Sequence, residues 1–388
     1  MRDAVVVEAV RTPVGKGKPS GALHDIHPID LMAESLSALI ERTGIDPTVI
    51  DDVVGGCVTQ ASEQGQNITR AALLAAGFPE AVPGTTVDRQ CGSSQQAVHF
   101  AAQGILAGAY DVVAVAGVES MSRVPMGTNV VGRQSMGERF EARYPDGLVP
   151  QGISAELIAA RWQLPRARLD EFSASSHHKA AAAADDGLFA KELLTLPQLG
   201  VDETVRPGTS VETLSTLLPS FHSDEYARRF PQIDWSITAG NSSPLSDGSA
   251  ALLLTTSEKA AELGLTPRAR LHSFAVAGDD PLYMLTAIIP ATRKVLERSG
   301  LSLSDIDLFE VNEAFAPVVL AWAHETGADL DRVNVHGGAI ALGHSLGASG
   351  ARIMTTLVHA LEQRGARYGL QTMCEAGGLA NATIIERI

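Results

Sequence analysis

Apolar positions follow two patterns along the chain. The first is a short unbroken run. Residues 5–10 are apolar except for Glu8, residues 53–58 interrupt their valines only with Gly55, Gly56 and Cys57, and Asp111 leads into Val-Val-Ala-Val-Ala-Gly. Runs of this length bounded by polar turns predict strands covered on both faces. The second pattern recurs every three to four residues. Leu31, Ala33, Leu36, Leu39 and Ile40 mark a helix over 28–43, and alanines and leucines mark another over 67–76, stopped by Gly77 and Pro79. A third, over 93–108, carries Ala97, Val98, Ala101, Ala102, Ile105 and Leu106 with little polar surface between them. Strand, crossover helix and strand at this spacing predict an α/β chain with a parallel or mixed sheet under helices. Between Glu119 and Asn241 the periodicity weakens. Helices are expected at 153–161 and 168–186, whereas 120–151 and 210–235 read as loop-rich. An excursion this long is expected to cover or line a cleft. Strand returns at 249–255 and helix at 258–263.

The pattern also repeats. A helix over 31–42 runs into Thr43-Gly44-Ile45-Asp46-Pro47, and a helix over 290–298 runs into Ser299-Gly300-Leu301-Ser302-Leu303. The turn at Cys91 and its small-residue helix match Gly343-His344-Ser345-Leu346-Gly347-Ala348-Ser349-Gly350 and a helix over 351–364. The strand at 111–117 then matches 368–374. Two copies of one unit place Cys91 and His344 near a pseudo-twofold axis, so that distant parts of the chain meet in one pocket.

Charge and cysteine content narrow the possibilities. The formal net charge of -15 argues against a nucleic-acid or acidic-membrane partner, and no 18-residue apolar run predicts a membrane span. The first residues read as a strand rather than a signal or transit segment. Cys57, Cys91 and Cys374 form no disulfide framework and lack zinc-site spacing, which favours a reducing, cytoplasmic setting. Cys57, after two glycines in an apolar run, reads as packing. Cys91 sits at the mouth of a helix, where the backbone N–H groups and the helix dipole lower a thiol pKa, although a buried cysteine at such a place is also an ordinary core residue. With His344 as base, Cys91 would serve acyl transfer through a thioester, the N–H groups at the helix mouth holding the oxyanion. Cys374, before Glu375-Ala376-Gly377-Gly378, would be a further proton donor and acceptor. Asn312 is a candidate polar partner, or a helix cap.

Four ordered segments carry a resemblance. Gln90-Cys91-Gly92-Ser93-Ser94, Asn312-Glu313-Ala314-Phe315-Ala316, Gly337-Gly338-Ala339-Ile340-Ala341-Leu342-Gly343-His344, and Cys374 with its glycines resemble the thiolase family, from Arg11-Thr12-Pro13 to the C-terminus. The resemblance implies a thiolase fold of two pseudo-twofold-related halves, each with a mixed five-stranded sheet and layered helices, plus an inserted loop domain. The halves would be residues 1–120, completed by 242–270, and 271–388, with the loop domain at 121–241. It implies acyl exchange between a 3-ketoacyl thioester and coenzyme A as co-substrate, with no tightly bound cofactor or metal, in a homodimer or homotetramer.

Residue by residue, the resemblance makes Cys91 the acylated nucleophile and His344 its activator and an oxyanion donor. Asn312 would hold the partnering water, and Cys374 would shuttle the proton. The N–H groups of Cys91 and Ala376 would form a second oxyanion hole. Ser273 matches the family's pantetheine-contacting serine, and Arg228 with Arg229 are candidate contacts to the nucleotide end. The segments Val149-Pro150-Gln151-Gly152-Ile153-Ser154-Ala155-Glu156 and Gly278-Asp279-Asp280-Pro281 resemble degradative members, some of which act on steroid-derived thioesters. Short-chain biosynthetic members tend to carry histidine and methionine where Pro150-Gln151 stands. The methionines Met121, Met126 and Met136 are candidates for an adaptable acyl pocket. Three departures stand out: Ser345 where proline is common, Glu375-Ala376 where a small apolar residue and glycine are common, and His336 where asparagine is common. A ketosynthase-like enzyme would expect two histidines instead, a non-catalytic acyl-CoA binder would not need all four positions filled, and a short-chain acetyltransferase would differ only in its pocket.

Overall fold

The first strand, β1 (Val5–Arg11), is buried except at half-covered Glu8, because it runs between neighbours in the middle of a sheet. The computed structural model describes residues 2–131 and 136–388. Met1, at the head of the chain, and residues 132–135, within the long excursion, lie outside the described residues. The other strands are β2 (Gly15–Lys16), β3 (Asp52–Gly56), β4 (Gly84–Val87), β5 (Val112–Ser120), β6 (Ser246–Thr255), β7 (Ala269–Gly278), β8 (Leu308–Val311), β9 (Tyr368–Glu375) and β10 (Leu379–Arg387). The helices are α1 (Pro28–Thr43), α2 (Ile68–Ala75), α3 (Ser93–Ala107), α4 (Glu138–Arg143), α5 (Gln151–Arg161), α6 (Arg166–Asp185), α7 (Val211–Ser215), α8 (Asp224–Arg229), α9 (Ser257–Glu262), α10 (Ile288–Ser299), α11 (Ala316–Thr326), α12 (Ala339–Leu342) and α13 (Ser349–Arg364).

The sheet order is β4-β3-β5-β6-β1-β7-β10-β9-β8, and β3-β5-β6-β1 read inward from one side matches β8-β9-β10-β7 read inward from the other. Each half has parallel pairing on its outside (β3 with β4 and β5, β8 with β9) and antiparallel pairing toward the centre. Antiparallel contacts Val5–Arg270 and Val6–Ala269 join β1 to β7. The expected repeat is therefore present, with β3 matching β8, β5 matching β9, and α3 matching α13. The counterpart of β4 is reduced to one parallel bridge between Phe309 and Val333. Asn334 follows with φ +46°, and its side chain accepts from Val311 N at 2.8 Å and donates to Val311 O at 2.9 Å. The backbone groups that a fifth strand would bond are thus taken by a side chain.

Helix ends follow local chemistry. The His27 side chain accepts from Ile29 N at the start of α1, Pro28 occupies the first turn, and Gly44 at φ +66° ends it. One apolar core packs α1 and α2 against the first half, and another packs α10 and α11 against the second. A third lies between them and draws Val98, Ala101 and Ile105 of α3, Met354 and Leu357 of α13, and strand residues of both halves together.

Within that middle layer the two helix starts touch. A Cβ on Gly350 would overlap the Gln95 backbone nitrogen, and one on Gly56 would overlap the backbone of Ser94. Ala351 N donates to Ser94 Oγ across the contact at 2.9 Å. The buried Glu119 carboxylate gathers the surrounding loops, accepting from Val58 N, Thr59 N, Gln64 Nε2 and Gly347 N at 2.9–3.0 Å.

The excursion carries α4 to α8 with turns and irregular segments between them. Its α5 and α6 pack on α11, and α6 also packs on α12. It is tied to β1 by the buried Arg11 guanidinium, which bonds Glu192 at 2.6 Å and Asp202 at 2.7 and 2.9 Å. The contact between helix starts is tested by Gly350→Ala. It should destabilise the protein by about 1–3 kcal/mol through overpacking, read by denaturant unfolding; unchanged stability would show slack between the helices.

Candidate active site

Cys91 closes the turn from β4 into α3, with Gly92 as the N-cap residue. The preceding Gln90 takes φ +49°, and Gln90 N and Ser93 Oγ bond within the turn, to Asp88 Oδ1 and Gln90 O. The thiol is 3% exposed and lies among Val58, Met121, Leu346, Ile353 and Met373. Burial, reinforced by Cys374 and Glu375, pushes its pKa above the ordinary thiol value, and a hydrogen bond from the Gln151 side chain opposes this only in part. The expectation that the helix mouth lowers the Cys91 pKa is therefore corrected. Desolvation of a thiolate outweighs the partial charges at the helix end.

Cys374 comes from β9, one strand removed from the chain terminus, and is fully buried. Asn312, just past β8, donates from Nδ2 to Cys374 Sγ at 3.6 Å. Burial pushes the Cys374 thiol up to about 12, against the Asn312 hydrogen bond. Asn312 Oδ1 is buried with no partner, which leaves one acceptor free in the site. The neighbouring Glu313 accepts from Ser176 Oγ at 2.6 Å, Asn334 Nδ2 at 2.8 Å and Ile340 N at 3.1 Å. Asn312 thus meets the second cysteine while Glu313 fixes the segment leading to His344.

His344 lies in the turn between α12 and α13. Its backbone N–H bonds Ser246 Oγ at 3.0 Å, and its Nδ1 lies 2.6 Å from Ser349 Oγ. Ser349 Oγ donates its one proton to Ser345 O at 2.9 Å, so it must accept from His344 Nδ1–H. The lone pair is then on Nε2, which is buried without a partner. Burial, with Arg352 behind it, lowers the His344 pKa to about 3. The side chain is a neutral base with its accepting nitrogen free. His344 is joined to the Cys91 side of the site by Leu346, two residues on, which packs in the Cys91 cluster.

The remaining candidates are placed less centrally. Ala376 is half-buried in the β9–β10 turn, two residues from Cys374. Ser273 is half-buried on β7 opposite Ile384, and Arg228 is exposed at the end of α8, while Arg229 bonds Gly147 O. The structure does not bring Ser273 or Arg228 into contact with either cysteine. Met121 packs beside Cys91, but Met126 and Met136 are 60% and 48% exposed, so a pocket lined by all three methionines is corrected to Met121 alone. His336 packs edge-on to Phe189 at 6.0 Å, which accounts for its aromatic character. Ser345, at φ -75°, already holds the backbone angle that proline would impose. Cys57 is buried and free, as expected of packing. Sequence reasoning missed Ser349, whose role depends on one helical turn of geometry. Gln151 was legible only as part of a motif.

Comparison with known proteins shows the family. The family description "Thiolase, N-terminal domain" matches residues 4–258, and "Thiolase, C-terminal domain" matches residues 265–387. The chain is a member of the thiolase family. A protein named steroid 3-ketoacyl-CoA thiolase FadA6, of Mycobacterium tuberculosis, is 46% identical, covering 100% of this chain and 95% of that one. The 3-ketoacyl-CoA thiolase of Aeromonas salmonicida is 42% identical over the full length of both. The crystal structure of the Bacillus anthracis acetyl-CoA acetyltransferase superposes with a TM-score of 0.88 at 36% identity, covering 100% of this chain and 99% of that one. This thiolase is an acyl-CoA:CoA acyltransferase, and coenzyme A is its expected co-substrate. Among the described residues no group of three or more His, Cys, Asp or Glu is placed to hold a metal, and no helix is long and apolar enough to cross a membrane.

The buried histidines give this thiolase a defined acid response. His344 and His99 are both lowered from 6.5 to about 3 in the native state. Between those values the unfolded chain binds more protons than the native one, so each site removes stability as pH falls from 6.5 toward 3. His344→Gln should therefore flatten the fall of unfolding free energy over that window, by up to about 1.4 kcal/mol per pH unit. Chemical denaturation at a series of pH values measures it, and a slope equal to the parent's would contradict a neutral native His344.

Proposed function

We propose that this thiolase cleaves 3-ketoacyl-CoA substrates larger than acetoacetyl-CoA, with Cys91 as nucleophile and Cys374 as the acid and base at the carbon centre. The observation that carries the reading is the pair of buried thiols, one bonded to Gln151 and the other 3.6 Å from Asn312. One sulfur can hold the acyl group while the other handles the proton on carbon, which are the two tasks of carbon–carbon cleavage by a thiol. His344 takes the Cys91 proton on Nε2 as sulfur attacks the ketone, then donates from the same nitrogen toward developing oxygen charge. Asn312 holds the partnering water there, and the N–H groups of Cys91 and Ala376 hold the second oxyanion.

Coenzyme A would lie along Ser273, with Arg228 toward its nucleotide end and residues 121–241 seating it as a loop domain beside the halves 1–120 with 242–270 and 271–388. The larger acyl group is supported by the 46% identical relative, named as a steroid 3-ketoacyl-CoA thiolase, and by Gln151 beside Cys91. We further place the protein in the cytoplasm, in keeping with three unpaired cysteines, and as a homodimer or homotetramer. β4 is an edge strand, flanked by exposed Leu74, Phe100 and Leu106 on α2 and α3.

Mass spectrometry after mixing with acetyl-CoA should show an acetyl adduct on the parent, none on Cys91→Ala, and a persistent one on Cys374→Ser, which should lose condensation far more than acylation. Equal losses of both steps in Cys374→Ser would remove its separate role. Across a thiolysis series, kcat/KM should rise at least about tenfold from acetoacetyl-CoA to medium-chain or polycyclic substrates, since each buried methylene contributes up to about 0.8 kcal/mol. A series that peaks at acetoacetyl-CoA would return the enzyme to the short-chain acetyltransferase reading.

A further inference from the structure

Helix α13 carries a polar stripe through a buried layer. Ser349, Arg352, Thr356 and His359 recur at steps of three and four residues, so they share one side of the helix. Ser349, the first residue, accepts from His344 Nδ1–H. Thr356 Oγ1 donates to Glu192 Oε1 at 3.1 Å, and His359 Nδ1, bonded to Thr355 O, lies 3.8 Å from Glu192 Oε2. Glu192 belongs to the excursion and is pinned a second time by Arg11, whose Nε bonds its Oε1 at 2.6 Å and whose N–H bonds its carbonyl at 2.9 Å. Arg352, in the middle of the stripe, has no such bond. It is 2% exposed, and Nε, Nη1 and Nη2 have no hydrogen-bond partner among the described residues. A guanidinium keeps its charge, so five N–H donors are buried without a protein acceptor. An acceptor stands close by. Arg352 and Thr356 are neighbours one turn apart, which brings the carboxylate held on Thr356 within reach of Arg352 through one water. Glu192 Oε2 has no hydrogen bond either. Donors without acceptors beside an acceptor without a donor are what an internal water joins. A small anion would instead meet the carboxyl groups of Glu310, Asp202 and Glu192, whose charges all act on the guanidinium.

We propose that Arg352 is a positioning residue for His344: joined to Glu192 through an internal water, it clamps the excursion onto the helix whose first residue holds the His344 ring. The guanidinium gives an N–H to the water, and the water gives an O–H to Glu192 Oε2. The link adds to the direct bond from Thr356 and fixes α13 against turning or sliding on the excursion. Ser349 lies one turn from Arg352, so any such shift of α13 passes to the bond that fixes His344 Nδ1 and aims Nε2. Buried charge pairs of this kind contribute register more than stability. This deepens the reading of His344 as the base for Cys91 and rests on it.

The test is the rate of acetyl transfer from acetyl-CoA to Cys91, followed by mass spectrometry of the intact protein across acetyl-CoA concentrations. Arg352→Met keeps the length of the side chain and removes its charge and donors. It should lower the saturating rate at least about fivefold while the half-saturating concentration stays within about twofold of the parent. Arg352→Lys, which can still donate to the water, should recover most of the rate. Glu192→Gln, in which Arg11 keeps both oxygens of Asp202, should show the same split. The double variant Arg352→Met with Glu192→Gln should then lose no more than the worse single one. Three results each overturn the proposal: an unchanged rate in folded Arg352→Met, Arg352→Lys no better than Arg352→Met, or losses that multiply in the double variant. If Arg352→Met fails to fold, a crystal structure of the parent decides. A water bonded to both Arg352 and Glu192 Oε2 supports the proposal. A guanidinium with no water on it, or one that takes bromide on soaking, overturns it. The adduct on the parent is measured alongside Cys91→Ala. Its absence from the parent removes the acyl-carrier reading, and the crystal structure still tests the water link.

Discussion

The contact between the starts of α3 and α13 is the constraint from which the site follows. The two halves of the chain are copies, and copies related by a twofold axis bring the same element of each into contact. Here that element is the beginning of a buried helix. Only glycine at 350 lets the two helix starts come so close, because a Cβ there would occupy the space of the Gln95 backbone on the facing helix. Cys91 precedes one of these helices and His344 precedes the other. Their convergence is therefore a consequence of packing rather than of either segment alone.

Closeness of this kind has an electrostatic cost, and the chemistry is adapted to it. Cys91, Cys374 and His344 are buried between the two halves, and burial disfavours every charge. Both thiols are held protonated and His344 is held neutral. A thiolate–imidazolium pair standing ready would have to overcome that desolvation permanently. In the proposed mechanism, a neutral thiol and a neutral base would meet it only during proton transfer, when the developing charges would lie next to each other and next to oriented donors. Ser349 completes this arrangement by fixing the tautomer of His344 through a hydroxyl whose own proton is already committed to Ser345 O.

Buried carboxylates do the scaffolding that hydrophobic contact cannot, because loops carry backbone groups that need partners. Glu119 satisfies the N–H groups of Val58, Thr59 and Gly347, and so ties the end of β3 to the His344 side of the molecule. Glu313 does the same for Ile340 while bonding Ser176 of the excursion. Arg11 fastens the excursion to β1 from the other end. Each of these groups is compensated by several hydrogen bonds.

Much of this was legible along the chain. Unbroken apolar runs gave β1, β3 and β5 because strands covered on both faces have no solvent side to mark. The three-to-four spacing of apolar residues placed α1 to its last residue, with Pro28 and Gly44 as its ends. The repeat, with the ordered segments around Cys91, Asn312, His344 and Cys374, was enough to name the family and the chemistry. Strands β4, β7, β8 and β10 were not drawn from periodicity, since β4 and β8 are short, β7 is half-covered and buried Asn381 and Thr383 break the apolar run of β10, and the side chain of Asn334 takes the Val311 groups that a fifth strand in the second half would bond. The state of the site was likewise decided only in three dimensions. A helix mouth read in isolation promises a lowered thiol pKa, but a pKa is set by all the surroundings of the group, and the sequence does not say how much water the packing of two halves removes.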